Sequence, residues 1–322
     1  MKEQTDYLSD PKLNSKVKEF LRLANAGARI ETLGKEQARE VLIGVQMNFE
    51  VDTSGVEVTE RVVCYEGKSV GIHVIRPQGV KETLPVIIFI HGGGWVLGDF
   101  VTHKRMVRDL VLACGFAVVF VNYSPSPEVR FPVAINEIYA VTKWVANNGH
   151  EINVNGKKMA IAGNSVGGNM ALVTALKARE ECGPKISSLI LFWPVADASF
   201  DSESYREFGN DRFLTTSLMQ WMFDQYTSNG EIRNNEHISP LLASREKLQF
   251  MPPTLIQLAE NDILRDGGEA LGRKMEEAGA EVTTIRYNGV IHDFGLLNGL
   301  AKLPATRTLF LHAGAELKKR LG

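Results

Sequence analysis

The 322-residue sequence predicts an α/β fold, with a mostly parallel sheet and helices on both faces. Three observations carry that prediction. Short apolar runs recur at 85–91, 116–122, 159–163, 188–193, 254–259 and 281–287. Helical patterns fall between most of them, near 102–114, 131–147, 165–180 and 267–278, with a last one near 304–320. The runs are near-continuously apolar rather than alternating, as strands are when crossover helices bury both of their faces.

The elements read as follows in chain order. Asp10-Pro11 reads as an N-cap and first-turn proline, and Val17, Phe20, Leu21 and Ala24 then follow the i, i+3, i+4, i+7 spacing of an amphipathic helix. Ala38, Val41, Leu42 and Val45 repeat the pattern with no strand between, so 1–50 reads as a helical segment packed on a separate α/β domain over 51–322. Val56, Val58, Val62 and Val63, followed by 69–76, give that domain an antiparallel start. The rhythm breaks at about 197–248, an insertion rich in aromatics (Phe200, Tyr205, Phe208, Phe213, Trp221, Phe223, Tyr226). It carries a helix from near Thr215, with Leu218, Trp221, Met222 and Gln225 on one side. Most of these aromatics read as the insertion's own core, and some are left to line a pocket.

Composition narrows the class. Hydrophobic content of 44% is enough for a sizeable core, and a net charge of −2 gives no electrostatic case for nucleic acid or an anionic membrane. No apolar run approaches the ~20 residues of a membrane span. The start, MKEQTDYLSD, lacks the apolar stretch of a signal peptide, so a cytoplasmic protein is expected. Cys64, Cys114 and Cys182 are odd in number and far apart, and read as reduced, mostly buried thiols. There is no glycine-rich nucleotide motif, so no cofactor is expected. His73, His103 and His150 show no carboxylates at ligand spacing, so no metal is expected either; His73 reads as surface or satisfied core, the other two as helix edges.

Chemistry concentrates in four places. Gly163-Asn164-Ser165-Val166-Gly167 follows an apolar run and precedes a helical stretch, the strand–turn–helix setting a G-x-S-x-G nucleophile requires. A serine on so sharp a turn needs small neighbours two residues away on each side, and the helix start behind it favours developing negative charge. His91-Gly92-Gly93-Gly94-Trp95 leaves backbone N–H groups unshielded, as an oxyanion site needs, and the Val166 amide adds another donor. Of the histidines downstream of Ser165, His237 lies in the insertion and His312 in the last helix, whereas His292 follows the last strand and is the expected base. Asp262, just past the strand at 254–259, is the expected acid. Asp266 reads as the start of the next helix, and Asp293 adjoins His292, where side chains tend to diverge.

HGGGW, GNSVGGN, AENDILRD and GVIHDF, in this order and separation, resemble the hormone-sensitive-lipase-like (bacterial family IV) esterases of the α/β-hydrolase superfamily, over about 85–297. The resemblance implies an α/β-hydrolase fold with an eight-stranded sheet and a helical cap made from the N-terminal helices and the insertion. It implies hydrolysis of small-molecule carboxylic esters with short to medium acyl chains, without a cofactor, and it admits a homodimer. It carries over Ser165, Asp262 and His292 as a triad, and Gly93, Gly94 and Val166 as the oxyanion hole, with His91 shaping that loop. A deacetylase, peptidase or amidase on the same fold is the main rival. A non-catalytic binding module is disfavoured because no triad member is missing. Two departures stand out: Asn164 and Val166 replace the Asp and Ala of the commoner GDSAG elbow, and Asp293 replaces the usual glycine after the histidine. Val166 is expected to narrow the acyl space, and Asp293 to alter His292 or touch substrate.

Overall fold

In the computed structural model, which describes residues 6–322, the strands are Val56–Tyr65 (β1), Lys68–Pro77 (β2), Leu84–Ile90 (β3), Ala117–Asn122 (β4), Val154–Asn164 (β5), Leu189–Phe192 (β6), Thr254–Asn261 (β7) and Val282–Ile291 (β8). They form one eight-stranded sheet in the order β1-β2-β4-β3-β5-β6-β7-β8. β2 pairs antiparallel with β1 and β4, and every pairing from β4 to β8 is parallel. This is the expected antiparallel start on a parallel sheet. The first five residues of the expected N-terminal segment, and of the polar start, lie outside the described residues.

The continuous apolar runs are explained by burial on two sides. Val86, Ile88 and Ile90 of β3 face one core, while Ile87 and Phe89 face the other. Helices Val133–Asn148, Val166–Glu180 and Arg265–Glu277 cover the first face; Phe100–Cys114 and Pro304–Leu321 cover the second. A strand that alternated polar residues would bury them against one of these helical layers, unpaired.

Four local expectations need correction. The first helix runs Ser15–Ala24 with Asn14 as its cap, accepting from Lys16 N–H; Asp10 is instead drawn into a turn with Lys12 and an ion pair with Arg212 at 2.8 Å. The last strand does not stop at Tyr287. The apolar run ends there, but Gly289 takes φ 78° within β8, and pairing resumes at Asn261–Ile291. His103 is no helix edge, being fully buried where Phe100–Cys114 packs behind the glycine loop. Only Cys114 of the three free cysteines is buried; Cys64 lies on the edge strand β1 and Cys182 in the turn after the helix that follows β5.

The N-terminal helices Ser15–Ala24 and Lys35–Met47 bury Val17, Phe20, Leu21, Ala38 and Leu42, and Gln46 ties the second to the body. The Gln46 amide donates to the Thr102 and Leu296 carbonyls (2.6 and 3.0 Å), and its oxygen accepts from Asn298 N–H. The segment between β6 and β7 carries helices Glu203–Phe208, Thr216–Tyr226 and Arg245–Leu248. It meets the N-terminal segment through Asp10–Arg212 and through the Ser217 hydroxyl, which donates to Glu31 at 2.6 Å.

Candidate active site

β5 ends at Asn164 and the next helix begins at Val166, which leaves Ser165 at φ 56°, ψ −121°. The flanking glycines leave no room for a side chain. A Cβ on Gly163 would stand 2.3 Å from the Gly167 carbonyl oxygen, and one on Gly167 would stand 2.0 Å from that of Ile90. Any larger residue at either position forces the strand and helix apart.

β7 and β8 run parallel beside this turn, so the residues just past their carboxyl ends arrive next to it. His292 follows β8, and its Nε2 lies 3.1 Å from Ser165 Oγ. Asp262 follows β7; its Oδ2 lies 2.7 Å from His292 Nδ1, and its Oδ1 accepts from Leu264 N–H at 2.9 Å. All three side chains are at most 4% exposed. Burial opposes a charged imidazole here, but the carboxylates of Asp262 and Asp293 outweigh it and raise the His292 pKa above the ordinary 6.5.

Beside the serine turn, where Gly92 N–H bonds Asn164, the loop after β3 turns at Gly93, whose carbonyl accepts from Val96 and Leu97 N–H. The amides of Gly93 and Gly94 are left out of that turn's bonds. Val166, the first residue of its helix, has an amide with no helical carbonyl to reach. Met222 from helix Thr216–Tyr226 presses on Gly94 so closely that a Cβ there would meet its Sδ at 2.0 Å. On the same helix Tyr226 stacks on Trp95 at 4.1 Å. From Lys35–Met47, Arg39 donates to the Val96 and Ser126 carbonyls and forks onto Glu128.

Behind the loop lies a buried polar layer. His91 Nδ1 donates to the Gly92 carbonyl at 2.8 Å, and burial pushes its pKa down to about 4, so the ring is neutral. Asn164 Oδ1 accepts from Gly92 N–H at 2.9 Å, and Asn164 Nδ2 donates to Asp293 Oδ1 at 3.1 Å. Trp193 Nε1, at the end of β6, donates to the same Asp293 oxygen at 2.7 Å. Two of the three departing residues, Asn164 and Asp293, therefore meet each other. Their separation of 129 residues hid this. Trp193 carried only one signal, its place at the carboxyl end of a strand, while Met222 and Arg39 carried none beyond helical periodicity.

The other candidates lie elsewhere. Asp266 sits in the first turn of its helix, where it accepts from Ser204 N–H and Arg265. His312 pairs with the Tyr287 hydroxyl at 2.7 Å. His237 lies beside Glu180 and Glu236, a grouping close enough for a metal ion, but the Lys247 ammonium already pairs with both carboxylates. His73 stacks on Phe100 at 3.9 Å and bonds Asn122, so it is satisfied where it stands.

Residues 87–296 match the model of a family described by the α/β hydrolase fold. The chain belongs to that family, in its hormone-sensitive-lipase-like branch. Among its α/β-hydrolase relatives, the carboxylesterase NlhH of Mycobacterium tuberculosis is 30% identical over 268 residues, covering 83% of each chain. An ethyl acetate hydrolase of Pseudomonas putida is 30% identical over 234 residues, covering 71% of this chain and 72% of its own. The crystal structure of a thermostable esterase from Pseudomonas putida ECU1011 superposes with a TM-score of 0.96 at 50% identity, covering 97% of this chain and 99% of that one. The fold expected from the sequence is thus the fold of the family. Among the described residues, no helix is long and apolar enough to cross a membrane.

Proposed function

We propose that this α/β hydrolase cleaves small carboxylic esters through an acyl-enzyme on Ser165. One observation carries the reading, namely the buried chain from Ser165 Oγ to His292 to Asp262 at 3.1 and 2.7 Å. His292 takes the serine proton as Oγ attacks the carbonyl carbon. Asp262 holds the ring in the tautomer whose Nε2 is free to accept, and stabilises the imidazolium without itself being protonated. The oxyanion is received by the amides of Gly93, Gly94 and Val166, each such donor being worth about 10²–10³ in turnover. His292 then protonates the departing alcohol, and a water deprotonated by the same ring releases the acid.

The described part of the N-terminal segment, 6–50, and the insertion 197–248 together act as a cap over the site. The Asp10–Arg212 and Glu31–Ser217 contacts, and Met222 against Gly94, support this. The tight fit of Met222, together with the name of the ethyl acetate hydrolase relative, favours short to medium acyl chains. Three unpaired cysteines favour a cytoplasmic setting. The test is Ser165→Ala assayed on a panel of nitrophenyl esters beside anilides and acetylated sugars. The reading expects ester turnover in the wild type and a loss of roughly 10⁴-fold or more in the variant. Undiminished ester hydrolysis by Ser165→Ala contradicts it, and faster cleavage of anilides or acetylated sugars moves the substrate class.

A further inference from the structure

The Asn164 side chain is wholly buried, and it spans two parts of the site that the chain keeps far apart. Its oxygen holds Gly92 N–H, at the root of the glycine loop, and its amide nitrogen holds Asp293, the residue after the base. Asp293 is 6% exposed and sits at φ 60°, a backbone region that costs a non-glycine residue energy and persists only where surrounding contacts fix it. Those contacts are specific. Asn164 and Trp193 both donate to Oδ1, and the Asp293 carbonyl accepts from Leu296 and Leu297 N–H. The other carboxylate oxygen, Oδ2, is left 3.8 Å from His292 Nε2. That is too far for a hydrogen bond that would divert the proton Nε2 receives, and near enough for strong attraction in a buried site.

We propose that Asn164 and Asp293 form a clasp that sets the glycine loop against the base, with Asp293 serving as a second counter-charge for the His292 imidazolium. Both are positioning residues. The proposal rests on the reading of Ser165, His292 and Asp262 given above, and deepens it. The clasp explains why Asn164 and Asp293 occur in one chain. An aspartate at 164 beside Asp293 would bring two carboxylates into one dry contact, and one of them would have to take up a proton. An asparagine at 164 supplies an acceptor for Gly92 and a donor for Asp293 from a single side chain. The charged and titratable groups facing the base are Asp262 from the loop after β7 and Asp293 from its own loop; Tyr205, from helix Glu203–Phe208, stands near Asp262, and the neutral His103 stands beside Asn164.

The exchange of the two residues tests this. Asn164→Asp opposes two carboxylates, and kcat for a nitrophenyl ester is expected to fall by about 10²-fold, with KM changed far less. Asp293→Asn keeps an acceptor for Asn164 and Trp193 but removes the charge. The His292 pKa then drops, the ring stays neutral to lower pH, and the acid limb of kcat/KM moves to lower pH. The double variant N164D/D293N removes the opposed carboxylates, keeps an acceptor for Gly92 N–H and re-forms the bond between 164 and 293 with donor and acceptor exchanged, while Trp193 Nε1–H loses its acceptor. It is expected to recover part of the kcat lost in Asn164→Asp while keeping the shifted acid limb. Should Asn164→Asp not fold, recovery of soluble, active protein in the double variant reads the same rescue. A double variant no better than Asn164→Asp overturns the clasp, and an unmoved acid limb in Asp293→Asn overturns the counter-charge. An inactive Ser165→Ala alongside a fully active Asn164→Asp overturns this proposal alone and leaves the ester-hydrolase reading standing.

Discussion

Ser165 occupies a backbone conformation that costs a non-glycine residue about 1–3 kcal/mol, and its neighbours keep it there. Phe192 accepts from its N–H at 2.9 Å, and the glycine contacts at 163 and 167 leave the turn no room to relax. The proposed base beside it is tuned in a direction that can be measured. The proposed base, His292, can accept a proton only when neutral, and two carboxylates overcome burial to raise its pKa above 6.5. Activity should therefore fall as pH drops through a value above 6.5, with kcat/KM lost earlier on the acid side than for an unperturbed histidine. A pH profile of ester hydrolysis with an acid limb at or below 6.5 would show that the carboxylates do not act on the ring as described. His91, whose pKa burial pushes down to about 4, stays neutral through this window and adds no limb of its own.

Two helices carry the elements of the proposed cap that matter most. Thr216–Tyr226 lays Met222 on Gly94, while Phe223 and Tyr226 of the same helix pack against Trp95 and fix its position. Met222→Ala opens space directly above the glycine loop. The expected result is a shift toward longer acyl or bulkier alcohol groups, read as a rise of roughly tenfold in the long-to-short ester ratio of kcat/KM. An unchanged ratio would mean that the helix does not border bound substrate. Lys35–Met47 is held through Gln46. Gln46→Leu keeps the volume but leaves the Thr102 carbonyl and Asn298 N–H without their side-chain partner. It should cost about 1–3 kcal/mol, measured by urea unfolding. A loss below about 0.5 kcal/mol, the range of ordinary surface changes, would mean that this buried amide is not holding the helix.

For the molecule as a whole, what the sequence made legible is what local pattern encodes. Strands buried on both faces are written as continuous apolar runs, and Val86–Ile90 shows why, since alternate residues serve opposite cores. The serine turn and the glycine loop were legible because sterics restrict their residue types within a few positions. His292 and Asp262 were legible because a parallel sheet brings strand ends to one edge. What stayed hidden depends on pairs distant in sequence: Asn164 with Asp293, Met222 over Gly94, and Asp10 drawn away from helix capping by Arg212. The strand extends past Tyr287, where the apolar run ends, because pairing with β7 resumes at Asn261–Ile291 beyond a bulge at Gly289. The central claim is that one buried serine performs the chemistry, and stoichiometric labelling with an alkyl phosphonate followed by peptide mass spectrometry tests it most directly. The account predicts a single adduct on Ser165, with ester hydrolysis falling in proportion to its occupancy. Full labelling of Ser165 with activity retained, or loss of activity with the adduct on another residue, would contradict it.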